Sequence, residues 1–300
     1  MRQRDKAEKL RGAGGFDAFY GELFGGRWQR LKDALLAEGV HVELRYGQGE
    51  PYFLDPASVC AALCLPVRGA GRVLDLCAAP GGKTLVLAGN LDDGARLCSN
   101  ERSSGRTARL SKVVAQTLPP ELAGRVDVSC SDGATWCRRE TECFDSILLD
   151  APCSSERHLL QDSKYLDGWS PARVKSLAVE QWALLSSAWR LLAPGGSLLY
   201  ATCALAPAEN DGVLERLAKK CAGAEFASPA EMERCAAGNA ETFSGALAFP
   251  SGLSVPALLA AAERTAFGLQ LLPDSASGTG PLFFSLMRKR AAEDAAAGNG

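Results

Sequence analysis

Apolar and aromatic side chains recur at close to helical spacing at Phe16, Phe19, Tyr20, Leu23, Phe24, Trp28, Leu31, Leu35 and Leu36, with Gly25-Gly26 as an interruption. That pattern predicts two helices within residues 16–38, packed on something larger. Residues 51–55 read as an extended connector, and Asp55 or Ser58 caps a helix running to about Leu65, where Pro66, Gly69 and Gly71 break it. From Arg72 the period changes. Short apolar runs over 72–76, 95–99, 125–129, 145–149 and 197–201 read as strands. Between them, 83–88 begins a helix, 103–118 is a helix stopped by Pro119-Pro120, and a long helix opens with Ser170 as N-cap and Pro171 at its first position, ending before Pro194-Gly195-Gly196. Ala206-Pro207 starts a further helix. Residues 223–254, rich in Ala and Gly, carry no readable period, 267–272 and 282–287 are two further strands, and 291–300 is a disordered end. Strands alternating with helices imply an α/β fold built on a mostly parallel sheet covered on both faces. The expected organisation is a helical N-terminal extension over 1–65, a main domain over 66–290 and the tail.

Composition adds limits. With 47% apolar and 23% charged residues, the 300-residue chain can form one large or two small globular domains. No apolar run approaches the roughly 18 residues of a membrane span, so no transmembrane helix is expected. The first eleven residues hold five basic and two acidic side chains, which is atypical of a mitochondrial presequence because such segments are poor in acids. A formal charge of −2 gives no global attraction for phosphate, so a nucleic acid must be met by local patches or through a helper protein. Candidate patches are the N-terminal basic residues, the run Arg102, Arg106, Arg109 and Lys112, and Arg288-Lys289-Arg290, although solvated helix faces are the commoner reading of such runs. The eleven cysteines stand singly along apolar segments with no secretory signal, which points to free thiols in a reducing compartment. No metal site is expected: Cys60 and Cys64 sit at helical spacing, and His41 and His158 are the only histidines.

The candidate chemistry lies at strand ends. The apolar run from Phe144 ends in Asp150-Ala151-Pro152-Cys153, and the run from Ser197 ends in Thr202-Cys203. Open α/β sheets place ligands at that edge. After the first strand of the sheet, Cys77-Ala78-Ala79-Pro80-Gly81-Gly82-Lys83-Thr84 makes a small-residue turn into a helix, where a ligand can lie against backbone N–H groups. A Walker phosphate loop also ends in Gly-Lys-Thr, but Cys77 holds the position of its first glycine. A dinucleotide loop needs Gly-x-Gly-x-x-Gly, which is absent. An S-adenosylmethionine site needs an acid at the next strand end for the ribose, and Glu101 stands 26 residues after Asp75. It also needs a polar residue after the third strand for adenine, and Asp132-Gly133 supplies it.

Together, Cys77 to Thr84, Asp150 to Cys153 and Tyr200-Ala201-Thr202-Cys203 resemble the Sun-domain (Nop/Sun, Fmu-type) RNA cytosine-5 methyltransferases over residues 50–215, and again near 269–273 and 280–288. The mitochondrial ribosomal RNA branch is the nearest likeness, through Phe16-Asp17, Phe24 to Trp28, the Arg157-His158 pair and Gly280-Pro281. The resemblance implies a class I, Rossmann-like S-adenosylmethionine-dependent methyltransferase, with seven strands and the last antiparallel. By position it implies that Cys77 to Lys83 border the cofactor, with Gly81, Gly82 and Lys83 along it. Glu101 would bind the ribose with Arg106 nearby, Asp132 and Gly133 would contact adenine, and Asp150 would border the methionine end. Glu101 replaces the family's usual aspartate, and Ala201 and Ala204 replace serines common around its second cysteine.

The chemistry explains why two cysteines are wanted. Cytosine carbon 5 is a weak nucleophile until a thiolate adds at carbon 6, and a thiolate is accessible near neutral pH. A protonated, desolvated Asp150 would relieve the charge at ring nitrogen 3. A second thiol would help remove the carbon 5 proton and expel the protein. By resemblance Cys203 attacks and Cys153 releases; DNA cytosine methyltransferases use the reverse order, so chemistry alone leaves it open. His158 can approach the substrate backbone or be structural. The resemblance further implies a ribosomal RNA substrate within a mitochondrial ribosome assembly intermediate, a helical-repeat partner of the transcription-termination-factor type, and a place in the mitochondrial matrix, with cytoplasm or nucleus as alternatives. The competing reading is a ribosome-assembly factor that binds RNA and a protein partner without turnover.

Overall fold

The structure, a computed structural model, describes residues 10–291. The basic residues before Leu10 and nearly all of the expected disordered end lie outside the described residues. Two helices, Gly12–Phe24 and Trp28–Leu36, are followed by two short antiparallel strands, β1 (Val42–Leu44) and β2 (Tyr52–Leu54), and by the helix Pro56–Leu63. The N-terminal segment is therefore not wholly helical. Seven of the eight residues of Pro56–Leu63 are buried, so this helix is apolar all round and sits inside the main core instead of beside it. Asp55 caps it, accepting from Ala57 N at 2.8 Å.

The central sheet begins at β3 (Arg72–Asp75), β4 (Arg96–Glu101), β5 (Val126–Cys130), β6 (Phe144–Asp150) and β7 (Leu192–Thr202). These five are parallel, in the order β5-β4-β3-β6-β7. Buried on both faces, residues 147–149 of β6 and 198–201 of β7 are unbroken apolar runs. The chain runs outward from β3 to β5 and then crosses back to β6, so the order reverses between β3 and β6. The crevice beyond their carboxyl ends is the ligand position of open α/β sheets.

Beyond β7 come β8 (Ala224–Phe226), β9 (Leu247–Ala248), β10 (Glu263–Arg264), β11 (Leu269–Leu271) and β12 (Leu282–Lys289). The last strand, β12, is antiparallel between β7 and β11. The seven expected strands are thus β5-β4-β3-β6-β7-β12-β11, and β8 and β10 extend the sheet to nine. The remaining short strand, β9, joins β1 and β2 in a separate three-stranded sheet. Two boundaries differ from the sequence pattern. Strand β7 begins at Leu192, before the Pro194-Gly195-Gly196 break, because the pairing with β6 passes through an irregularity there. The helix after β7 begins at Asp211, because residues 206–210 are held in turns by Glu209 N→Ala206 O and Gly212 N→Pro207 O bonds. In the stretch without a readable period, Ser228 and Glu231 form a capping box on the helix Pro229–Ala240.

The first two helices pack through Phe16, Tyr20, Trp28, Leu31 and Leu35 against Leu159, Trp169, Leu205 and Leu272. Burial of each such side chain contributes about 1.5–3 kcal/mol. That cluster covers the segments that follow β6 and β7. Among the described residues no helix is long and apolar enough to cross a membrane.

Candidate active site

The turn after β3 is shaped first by packing. Gly81 has φ +119°, and a Cβ there would meet Leu110 and Val113 at 3.1 Å. A Cβ on Gly82 would approach Leu54 to 2.9 Å. Thr84 Oγ1 donates to the buried Asp75 at 2.7 Å, Ala78 N donates to Asn100 O at 2.8 Å, and Arg106 Nη2 donates to Ala79 O at 2.7 Å. Burial pushes the Asp75 carboxyl up to about 7 despite the Thr84 bond, and burial drives the Cys77 thiol far up, which disfavours its thiolate.

A cleft of ≈ 250 Å³ opens beside this turn, bordered by Cys77, Ala79, Glu101, Arg106, Asp132, Gly133 and Asp150. Ala78, Pro80, Gly82 and Lys83 line an adjoining cleft instead, and Gly81 lines neither. Glu101 accepts from Ser103 N at 2.9 Å and pairs with Arg106 at 3.1 Å, while its side chain is only 6% exposed. Asp132 accepts from Ala134 N at 3.0 Å. A Cβ on Gly133 would lie 3.0 Å from Leu76 and 3.2 Å from Leu184, so a side chain there would displace the cleft wall. The sequence reading missed Asn100, whose amide ties the turns together. It donates to Leu76 O and Ser131 O and accepts from Ser131 N, each at 3.0–3.1 Å. An amide directly before a strand-end acid was the available signal.

At the crevice, Asp150 Oδ2 lies 2.6 Å from Lys83 Nζ, which also reaches Ser58 Oγ at 3.1 Å. Burial opposes the Lys83 charge, but Asp150 more than offsets it and holds the ammonium in its charged form. A protonated, desolvated Asp150 was expected from the sequence; the structure leaves its side chain 33% exposed and gives it a cationic partner, because Lys83 turns away from the first cleft.

Cys153 Sγ and Cys203 Sγ are 3.0 Å apart. Ser155 Oγ stands 3.5 Å from the first and 3.2 Å from the second. Ser155 has φ +54°, and this turn delivers its hydroxyl to both sulfurs. Cys203 and burial both push the Cys153 thiol well up, and either sulfur can donate to the other across this contact.

Two buried carboxyls, neither foreseen as site residues, hold the cysteine loops. Glu156 accepts from the hydroxyls of Tyr20 and Ser154 and from Leu205 N at 3.0 Å. Glu209 accepts from Ser154 N and Gln181 Nε2, both at 2.9 Å. Behind Cys203, Thr202 Oγ1 donates to Asn210 Oδ1 at 2.6 Å and Asn210 Nδ2 donates to Ala204 O at 2.9 Å. Position 204 thus binds through its backbone, which an alanine provides.

On the far side of the thiols lies a second cleft of ≈ 410 Å³, bordered by His41, Arg157, His158, Gln161 and Pro281. Asp150, Ser155 and Cys203 line both clefts. The arrangement can therefore present a nucleophilic sulfur to a flat group on one side while a donor is held on the other.

A profile of the family described as 16S rRNA methyltransferase RsmB/F matches residues 62–283. The chain is 34% identical over 175 residues to the 5-cytosine rRNA methyltransferase NSUN4 of Xenopus tropicalis, which is 57% of this chain and 43% of that protein. It is 36% identical over 177 residues to the mitochondrial tRNA (cytosine(34)-C(5))-methyltransferase of Danio rerio, 58% of this chain and 48% of that one. It thus spans about half the length of these relatives. In fold it matches a solved methyltransferase homolog protein from Pyrococcus horikoshii with a TM-score of 0.65 at 19% identity, covering 96% of this chain and 100% of the other.

Proposed function

Since the chain belongs to the 16S rRNA methyltransferase RsmB/F family, we propose that it methylates carbon 5 of cytosine in RNA, ribosomal RNA above all, with S-adenosylmethionine as methyl source. The observation that carries this reading is the thiol pair, 3.0 Å apart, at the junction of the two clefts. The first cleft suits the cofactor: a buried acid at the β4 end for ribose hydroxyls, small residues that a side chain would close, and Asp132 beside the space for adenine. Bound there, S-adenosylmethionine supplies an electrophilic methyl group.

The second cleft takes the base. Cys203 Sγ adds to carbon 6, and the ring electron pair moves toward nitrogen 3 while carbon 5 becomes nucleophilic. The Lys83–Asp150 pair carries the proton that offsets charge at nitrogen 3, the task assigned to Asp150 alone from the sequence. The order Cys203 first is supported by position: Cys203 lines the second cleft while Cys153 does not, and Ser155 Oγ lies nearer Cys203, at 3.2 Å against 3.5 Å. Once Cys203 is a thioether it no longer raises Cys153, which then becomes a better base for the carbon 5 proton. Loss of that proton and cleavage of the carbon 6–sulfur bond release the product. A relative named for ribosomal RNA and another named as mitochondrial support that substrate and a mitochondrial compartment; a ribosome assembly intermediate in the matrix and a helical-repeat partner that presents the RNA complete the proposal on the motif resemblance alone.

Tritiated S-adenosylmethionine incubated with ribosomal RNA tests it. Wild type transfers label to cytosine, Cys203→Ala transfers none, and Cys153→Ala accumulates a covalent protein–RNA band on denaturing gels. If that band persists in a Cys153→Ala, Cys203→Ala double variant, the assignment of the attacking thiol is wrong. If wild type labels no RNA while the fold is intact, the assembly-factor reading replaces this one.

A further inference from the structure

Among the described residues, six buried side-chain polar atoms have no hydrogen-bond partner, and two of them belong to one contact. Gln181 Nε2 donates to Glu209 Oε2, and the other oxygens of the same two groups, Gln181 Oε1 and Glu209 Oε1, are both buried and unpartnered. Two acceptors left orphaned across a single amide–carboxyl contact are two desolvated lone-pair sets. One proton removes both defects. If Glu209 Oε1 carries a hydrogen, it can donate to Gln181 Oε1 while Gln181 Nε2 donates back to Oε2, closing a cyclic acid–amide pair.

We propose that Glu209 works as a neutral acid, paired with Gln181, and that this pair is the clamp that positions Cys153. The clamp grips both sides of the cysteine: Gln181 Nε2 also donates to Pro152 O at 2.9 Å, and Glu209 Oε2 accepts from Ser154 N at 2.9 Å. Its neighbour Glu156 is the opposite case. Burial raises the Glu156 carboxyl too, but three donors directed at its two oxygens, from Tyr20, Ser154 and Leu205, oppose that rise and leave neither oxygen unpartnered. The orphaned oxygen thus marks Glu209 as the carboxyl that takes the proton, and a second buried anion is kept away from the site where the Cys203 thiolate forms. The titratable groups facing Glu209 are Glu156, Tyr20 and Tyr200, with Cys153 and Asp150 beyond Tyr200. Burial, then the Glu156 charge, push the Glu209 carboxyl up to about 7. With a raised folded-state value, its share of stability is complete below the unfolded carboxylate range near pH 4.5 and is lost as pH rises through about 7.

Glu209→Gln retains the geometry of the neutral acid, since its amide can donate to Gln181 Oε1 and accept from Nε2. It should melt a few degrees above wild type at pH 8, with the gap closing toward pH 5. Infrared spectra of protein carrying ¹³C-labelled glutamate should lose a protonated carboxyl band in this variant at pH 6. Glu209→Ala should lower kcat for methyl transfer about tenfold or more, whereas Glu209→Gln stays within about twofold of wild type. No lost band, or a Glu209→Gln variant less stable than wild type at pH 8, overturns the proton; an unchanged kcat in folded Glu209→Ala overturns the clamp. Only the kinetic arm rests on the reaction proposed above: if wild type transfers no methyl group, that reading fails while the infrared and melting results still decide the protonation.

Discussion

The two clefts that meet at Asp150, Ser155 and Cys203 are built in opposite ways. The first comes from consecutive strand ends of the parallel sheet, β3, β4, β5 and β6, each giving its loop residues in chain order. Its polar groups are mostly fixed already: Glu101 by Ser103 and Arg106, Asp132 by Ala134, and the turn by Asn100. The second gathers residues 39–41, 55–58, 155–161 and 280–282 from distant parts of the chain, and its two histidines stand exposed. A rigid, locally coded site suits a small donor that is the same in every turnover. A composite site with exposed rim side chains suits a macromolecular substrate whose target base must be brought in from outside.

Three substitutions test whether the clefts are separable. The largest effect belongs to their shared wall: Asp150→Asn, which leaves Lys83 without its anion, should lower kcat by roughly 10²–10⁴-fold, read as single-turnover methyl transfer with both ligands saturating. Next is Glu101→Gln, which removes a buried charged acceptor. It should weaken cofactor binding by about 1.5–3 kcal/mol, or roughly tenfold to a hundredfold, by titration calorimetry, with RNA affinity unchanged. The smallest is His158→Ala, which should weaken RNA binding roughly threefold to tenfold in filter binding while the cofactor dissociation constant stays put. A shift in RNA affinity from Glu101→Gln, or in cofactor affinity from His158→Ala, would mean that the clefts are coupled across the thiols.

The same contrast decides what could be read from the sequence. The strand-loop-helix units carry their chemistry locally, so Cys77 to Thr84, Glu101, Asp132-Gly133 and the two cysteine motifs were visible as residue types at strand ends. Gly81 and Gly82 were visible, but not the part their lack of a side chain plays in packing against Leu110, Val113 and Leu54. The contacts that hold the thiols were not legible. Tyr20 meets Glu156 across 136 positions, and Ser154 meets Glu209 across 55. No local pattern announces such pairs, because a buried carboxyl looks like a surface one until its neighbours are known. Strands β8, β9 and β10 are only two or three residues long, too short for a period of two to register. The capping box at Ser228 and Glu231 was legible and marks a helix in the stretch that otherwise lacked a pattern.

The pairing of β7 with β12 has a consequence for biosynthesis. Cys203 sits just past the end of β7, and that strand's outer edge is closed by residues 283–288, which leave the ribosome some eighty positions after it. Until they emerge, both sulfurs and the whole turn after β3 exist on a sheet whose β7 edge is bare, open to pairing with any other extended chain. The proposed active site is therefore among the last parts of the molecule to mature, and a translation product that stops before Leu282 should accumulate as aggregate instead of a slow enzyme.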